Sequence, residues 1–358
     1  VAQQAVQSPS PPEKEPPKSP EERSDWGFRW DNRPSLRLGR GTRIDFRARV
    51  QADLRDSDAP IPGHDDGSDI DLARNRIGID GEVLNLFDYQ VEYDFVDDED
   101  PWRDVYINYK QFDFVQVQGG KFKLPFSMDE NTSATNLDFV YRSRAAIFLA
   151  PGRDKGVMVH GRILDRGMLR YEIGGFDHDG VNARTQDLER VFGERTLAGR
   201  ITMQPLRSTQ SVLSDLAFAV AFTTSDVPEG FPALRARTSM GEPFYLPDVA
   251  VRGERRRIGF DARWRPGPFS IKSEYMKLTQ ERQGQSADNT DLSKFFGEGW
   301  YVSGTWAITG ENKAEGLDSP RWNSRCEPKA SASAAKPPTM CRPRPRVPTS
   351  FWATPIAW

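Results

Sequence analysis

The feature that most constrains this chain is a two-residue period in hydrophobicity. It recurs from about Ser35 to Gly310 in segments of roughly nine to thirteen residues. In one segment Ile44, Phe46, Ala48, Val50, Ala52 and Leu54 alternate with Arg43, Asp45, Arg47, Arg49, Gln51 and Asp53. In another, Phe87, Tyr89, Val91, Tyr93 and Phe95 alternate with Asp88, Gln90, Glu92 and Asp94. The same beat returns around Leu216–Phe222, Ile258–Trp264 and Trp300–Ile308. Successive side chains of a strand point to opposite faces, so each segment predicts a strand with one apolar and one wet face. The links alternate as well. Leu164–Gly167 and Pro266–Pro268 are short, whereas 96–101, 126–156, 177–194, 224–249 and 280–298 are long and polar. Together these predict an antiparallel up-and-down meander of about twelve to fourteen strands as far as Ala307.

Two architectures share that pattern. A soluble β-sandwich, binding a carbohydrate or a protein partner, uses strands averaging about 5–6 residues. A transmembrane β-barrel uses strands of about 9–11 residues, apolar outward and polar inward, with aromatic girdles at both interfaces. The segment lengths and dense charge favour the barrel. Trp102, Tyr109, Phe112, Phe114, Trp264, Phe269, Tyr275, Trp300 and Trp306 stand where girdles would form. A mean hydropathy of −0.66 excludes a helical membrane protein, which needs about 20 apolar residues in a row. It is compatible with a barrel, where only alternate residues meet lipid. The net charge of −3 carries no nucleic-acid signature. Both cysteines, Cys326 and Cys341, lie near the chain end, so no disulfide or cysteine-held metal is expected before them.

A more specific signal runs Gly120-Lys-Phe-Lys-Leu-Pro-Phe-Ser127, then Glu130-Asn-Thr-Ser133, Phe139, Arg142-Ser143, Ala150-Pro-Gly-Arg-Asp154 and Gly156-Val157. Arg76-Ile-Gly-Ile79, Tyr93-Asp-Phe95 and Arg103-Asp-Val-Tyr106 precede it. Over about Trp30 to Glu311 the chain resembles the phosphate-selective porin O and P family. The resemblance implies a barrel of about sixteen strands in the bacterial outer membrane. It also implies a homotrimer embedded in outer-membrane lipid, passing phosphate, polyphosphate and other small anions by diffusion. A long loop after the fifth strand would narrow the pore, here 126–154.

Anions entering a narrow pore lose water, and arginine replaces it well, because its guanidinium fork matches phosphate and keeps its charge. The resemblance marks Arg142 and Ser133 as anion contacts, with Thr132, Arg144 and Arg153 beside them in the loop. The wet-face residues Arg43, Arg47, Arg49, Arg200, Arg263 and Lys272 form a candidate ladder. The competing reading is that these charges neutralise partners across strands, with Arg43, Arg47 and Arg49 surrounding Asp45 and meeting Asp88, Glu92 and Asp94 on other strands. Glu130 departs from the family, whose phosphate-preferring members carry lysine near this point. The Asp/Gly-rich stretches 63–69 and 177–180 have the oxygen content of calcium loops but not the spacing, and ordinary turns explain them. His178 beside Asp177 has no nucleophile motif near it. No enzyme activity, cofactor or metal is expected. Residues 1–30 read as a proline-rich linker and 31–311 as the barrel. Residues 312–358 do not alternate and read as a disordered or out-of-frame tail.

Overall fold

The computed structural model describes residues 26–31, 33–39, 41–56, 68–97, 100–164, 167–180, 195–209, 211–232, 236–237, 243–245 and 249–310. Most of the expected linker, the tail with both cysteines and most of the 63–69 stretch lie outside these residues. The strands are β1 (Trp26–Asp31), β2 (Arg33–Leu38), β3 (Arg43–Asp56), β4 (Ser68–Val83), β5 (Phe87–Asp94), β6 (Trp102–Phe112), β7 (Val115–Lys123) and β8 (Arg153–Ile163). They continue with β9 (Leu169–Phe176), β10 (Thr196–Met203), β11 (Ala217–Pro232), the short pair β12 (Ala236–Arg237) and β13 (Pro243–Tyr245), β14 (Ala250–Trp264), β15 (Phe269–Arg282) and β16 (Leu292–Trp306).

Fourteen of these strands form one antiparallel sheet in chain order, with β12 and β13 as a separate hairpin. β1 and β16 are the two ends of that sheet, and no pairing joins them among the described residues. Links are mostly short at one end of the meander and mostly long at the other, as the sequence predicts, the exceptions being the tight β1–β2 link and the 204–216 link. Two details differ. The sheet starts at Trp26, ahead of the expected boundary at 31. The long inward loop therefore follows the seventh strand, because the hairpin β1–β2 precedes the expected first strand.

The distribution of side chains inverts that of a soluble protein. Phe46, Val50, Ile77, Ile107, Ile201, Val220, Phe260 and Val302 are exposed, while Asp45, Gln90, Glu92, Asp104, Asn108, Glu172, Arg200 and Glu274 are buried. Charged groups are almost never buried unless paired, and broad apolar surfaces mark contact with another phase. A sandwich would need its apolar faces packed together. Here a single sheet turns its apolar face outward and curls around its polar one. Short helix α2 (Arg144–Leu149), in the β7–β8 link, packs on β15 and β16. In a flat sheet with strands about 4.8 Å apart, β16 would be far from β7.

The outer face sets a test. Val220→Arg is expected to cost about 2–4 kcal/mol of folding free energy in a bilayer, while Thr223→Ser on the inner face of the same strand costs little. Urea titration of vesicle-folded protein by heat-modifiable gel mobility measures both.

Candidate functional site

The link between β7 and β8 folds back on itself and inward. Its base is closed by the Leu124 N–H donating to the Gly152 carbonyl at 2.9 Å. It holds two short helices, α1 (Met128–Asn131) and α2. Serine at a helix start accepts an otherwise orphaned backbone N–H. Ser127 caps α1 through Glu130 N–H at 3.0 Å, and Ser143 caps α2 through Ala146 N–H at 3.1 Å. The Ser143 N–H donates to the Asp129 carboxylate at 2.7 Å, tying the helices together.

Glu274 of β15 anchors this assembly to the opposite wall. One carboxylate oxygen accepts the Ser127 hydroxyl at 2.8 Å and the other the Asp129 N–H at 2.7 Å. Carboxyl oxygens at a helix start satisfy backbone N–H groups that have no partner within the helix. Phe126, Ala146, Leu149 and Ala150 then pack against Ala221, Met276 and Leu278 on the inner wall. Full burial of side chains the size of Phe126 or Leu149 contributes about 1.5–3 kcal/mol each. Two wall glycines make room. A Cβ on Gly259 would lie 3.2 Å from the Phe126 ring, and one on Gly299 3.2 Å from Ala145 and Leu149. Farther along, Lys272 pairs with Asp138 at 2.7 Å and the Tyr141 hydroxyl donates to Asp53 of β3 at 3.1 Å. The loop therefore crosses the enclosed space.

Glu130 lies 3.3 Å from both Lys123 and Arg142. Burial pushes its carboxyl up, but Lys123, Arg142 and Arg153 outweigh that and hold it below the usual carboxylate range. Burial pushes Asp129 up, and its contacts with Ser143 and Arg142 offset this only in part. The unexpected acid of this loop is thus an internal counter-ion.

The residues expected from sequence distribute unevenly. Arg142 donates to the carbonyls of Asp129 at 2.9 Å and Thr132 at 2.6 Å, through Nε and one terminal nitrogen. Ser133 follows Thr132 and is 3.0 Å from the Thr135 hydroxyl. Thr132 is buried, and its hydroxyl donates to Met128 at 2.8 Å, so its proton is committed to the end of α1 rather than to an anion. Arg144 lies over the Phe148 ring at 6.0 Å. Arg153 pairs with Asp104 at 3.2 Å and pins the end of the loop.

On the wall, Arg43 meets Asp45 at 3.0 Å and Arg47 meets Asp80 at 3.6 Å. Asp94 and Glu92 are taken instead by Arg76, and Asp88 by Lys110. The cross-strand partners expected for Arg43 and Arg47 are thereby corrected. Arg49 forms no ion pair among the described residues and stands within electrostatic range of Glu92 first, and of Arg76, Arg47 and Arg74. Arg74 in turn is within range of Arg142. Arg200 is buried between Asp261, at 2.7 Å, and the Phe126 carbonyl, at 2.5 Å.

A cavity towards the short-turn end, below α1, is lined by Arg162, Arg170, Arg200, Arg207 and Arg263 with only Glu172 and Asp261 as acids. Arg162 directly opposes Arg170 in the strand register, as Arg263 opposes Lys272. Like charges directly opposed destabilise a sheet; here Glu172 meets Arg170 at 2.5 Å and Asp138 meets Lys272 at 2.7 Å, so each pair is partly neutralised. Sequence reasoning missed Arg74, Arg76, Arg162, Arg170 and Arg207. The first four stand on strands and Arg207 in the link after β10, and their grouping depends on register and on the path of that link.

An antiparallel meander with an apolar exterior, a charged interior and a loop folded across the lumen defines a pore-forming barrel. The family model of phosphate-selective porins O and P matches residues 44–324. The chain belongs to that family and is a β-barrel porin of the bacterial outer membrane. No curated protein shows a significant match. Among solved structures it is similar to the outer-membrane-expressed OmpT of Vibrio cholerae, at 14% identity and TM-score 0.45 over 75% of this chain and 72% of that one. A loop L8 deletion mutant of that OmpT gives 14% and 0.45 over 74% and 76%. Salmonella typhi OmpF in complex with daunomycin gives 11% and 0.31 over 75% and 87%.

Glu274→Ala removes both acceptors at the start of α1, at a cost of about 1–3 kcal/mol for each buried donor left unsatisfied. The expected outcome is a larger and noisier single-channel conductance in planar bilayers, with the barrel still assembled.

Proposed function

We propose that this porin is an anion-leaning passive channel for small oxyanions of the phosphate class, polyphosphate included. The carrying observation is that Arg142 of the inward loop comes within electrostatic range of Arg74 on the facing wall, which is itself within range of Arg49. Glu130, Glu92, Asp53 and Asp94 lie within reach of these cations, but Glu130 is shared with Lys123, and Glu92 and Asp94 with Arg76. Each guanidinium can replace part of an anion's water shell, and several weak sites in succession let the ion leave as well as enter. The arginine-lined cavity below α1 extends the same chemistry towards the short-turn end. The site residues read from sequence fit this proposal with altered weights. Arg142, Arg49 and Arg263 are contact candidates, while Arg43, Arg47, Arg153 and Arg200 hold the wall and loop. We infer a homotrimer in outer-membrane lipid on the family resemblance, and diffusion rather than catalysis as the activity.

The test is the zero-current potential across a planar bilayer in a KCl gradient. Its sign is expected to report anion preference, and a cation-selective sign overturns the proposal. Arg74→Gln and Arg142→Gln are each expected to lower the anion-to-cation permeability ratio. The preference is expected to shrink between 0.1 M and 1 M salt, as the screening length falls from about 10 Å to 3 Å.

A further inference from the structure

On the long-loop side of the constriction, the segment after β9 turns back over the inner face of β14. Asp179 is buried there, and Arg255 and Arg257 of β14 are buried around it. One Asp179 oxygen accepts from Arg255 at 2.7 Å and from Arg257 at 2.8 Å, and the other accepts from Arg257. In the sheet register Thr223 opposes Arg257 and Ser225 opposes Arg255. The Arg257 guanidinium also reaches the Thr223 hydroxyl at 3.4 Å. The Ser225 hydroxyl and Arg257 Nε are buried without a hydrogen-bond partner.

Two guanidinium groups thus face one carboxylate; Arg255 also turns its Nε and a terminal nitrogen to the Gln280 side-chain amide, and the donors that remain over are Arg257 Nε and the Ser225 hydroxyl. Guanidinium forks match carboxylate and phosphate alike. A carboxylate brings two oxygens, whereas a tetrahedral oxyanion brings more and would use the spare donors. Asp179 does not reach this position by chance. The Asp177 N–H donates to the Lys155 carbonyl at 2.9 Å, and the Gly180 N–H donates to the Asp154 carboxylate at 3.3 Å. Gly180 has φ +79°, and a Cβ there would lie 1.9 Å from the Pro151 carbonyl oxygen, so only glycine lets the turn sit against the end of the inward loop. Burial pushes the Asp179 carboxyl up, but Arg257 and Arg255 outweigh it and hold it below the usual range.

We propose that Asp179 is a tethered counter-ion occupying an oxyanion seat built by Arg255, Arg257, Thr223 and Ser225, and that it limits how strongly the channel holds phosphate-class anions before the constriction. This deepens the anion-channel reading and rests on it. The test uses the assembled porin in planar bilayers with inorganic phosphate as the probe, read as block of KCl current. Asp179→Asn keeps the shape and removes the charge. It is expected to move the zero-current potential towards the anion limit and to lower the half-blocking phosphate concentration about tenfold, the change that one retained charge-assisted hydrogen bond represents. Arg255→Gln is expected to shift both readouts the opposite way. The double variant D179N/R255Q, with the seat's net charge restored, is expected to return near the unaltered protein. Readouts that do not follow this charge order overturn the proposal and leave Asp179 a structural pin. If Asp179→Asn does not assemble, Arg255→Gln decides alone, and an unchanged phosphate block overturns the proposal. The sign measured on the unaltered protein tests the wider reading separately.

Discussion

Hydrocarbon offers no hydrogen bonds, and this constraint organises the molecule. Backbone groups in contact with lipid must pair within the sheet, so strands follow one another in register. Most charged side chains turn to the same side, and there they crowd. Asp94 is shared by Arg76 and Arg103, Asp45 by Arg33 and Arg43, and Lys110 bridges Glu82 and Asp88. Pairing consumes most of the charge. What is left without a direct ion pair, as at Arg49 among the described residues, is the charge open to a passing ion.

The interior is not uniformly wet. A loop held inside a polar lumen needs something apolar to rest on, and the wall provides it locally. On β15 the usual arrangement reverses: Met276 and Leu278 face inward, and Lys277 faces outward over the Phe296 ring, opposite Glu298. With Gly259 and Gly299 this makes a shallow dry berth for Phe126 and Leu149. Glu274 fixes the loop's orientation at the edge of that berth. Hydrophobic packing holds the loop in place, and hydrogen bonds set its register.

Much of this was legible in the residues. Alternation such as that from Arg43 to Asp53 reports the two faces because a pleated strand has no other way to place its side chains. The contrast between the Leu164–Gly167 turn and the 126–154 loop gave the meander. The hairpin β1–β2 was hidden because its strands are short and adjoin a proline-rich stretch. Pair partners were hidden because they depend on register. Arg76, not Arg49, meets Glu92, and the two candidates differ by one strand. Asp179 looked like any loop acid, since its partners lie 76 and 78 residues away in the chain. The dry berth on β15 was hidden because periodicity does not say which face is inside.

The resting place of α2 has a mechanical consequence. A long curved sheet bends easily along its strand-to-strand hinges. A helix wedged from within against β15 and β16, in a loop tethered by Tyr141 to β3, acts as a cross-beam for the curved sheet. Aperture and stiffness are therefore one property here. A variant that widened the passage by shortening the loop would also soften the wall around it.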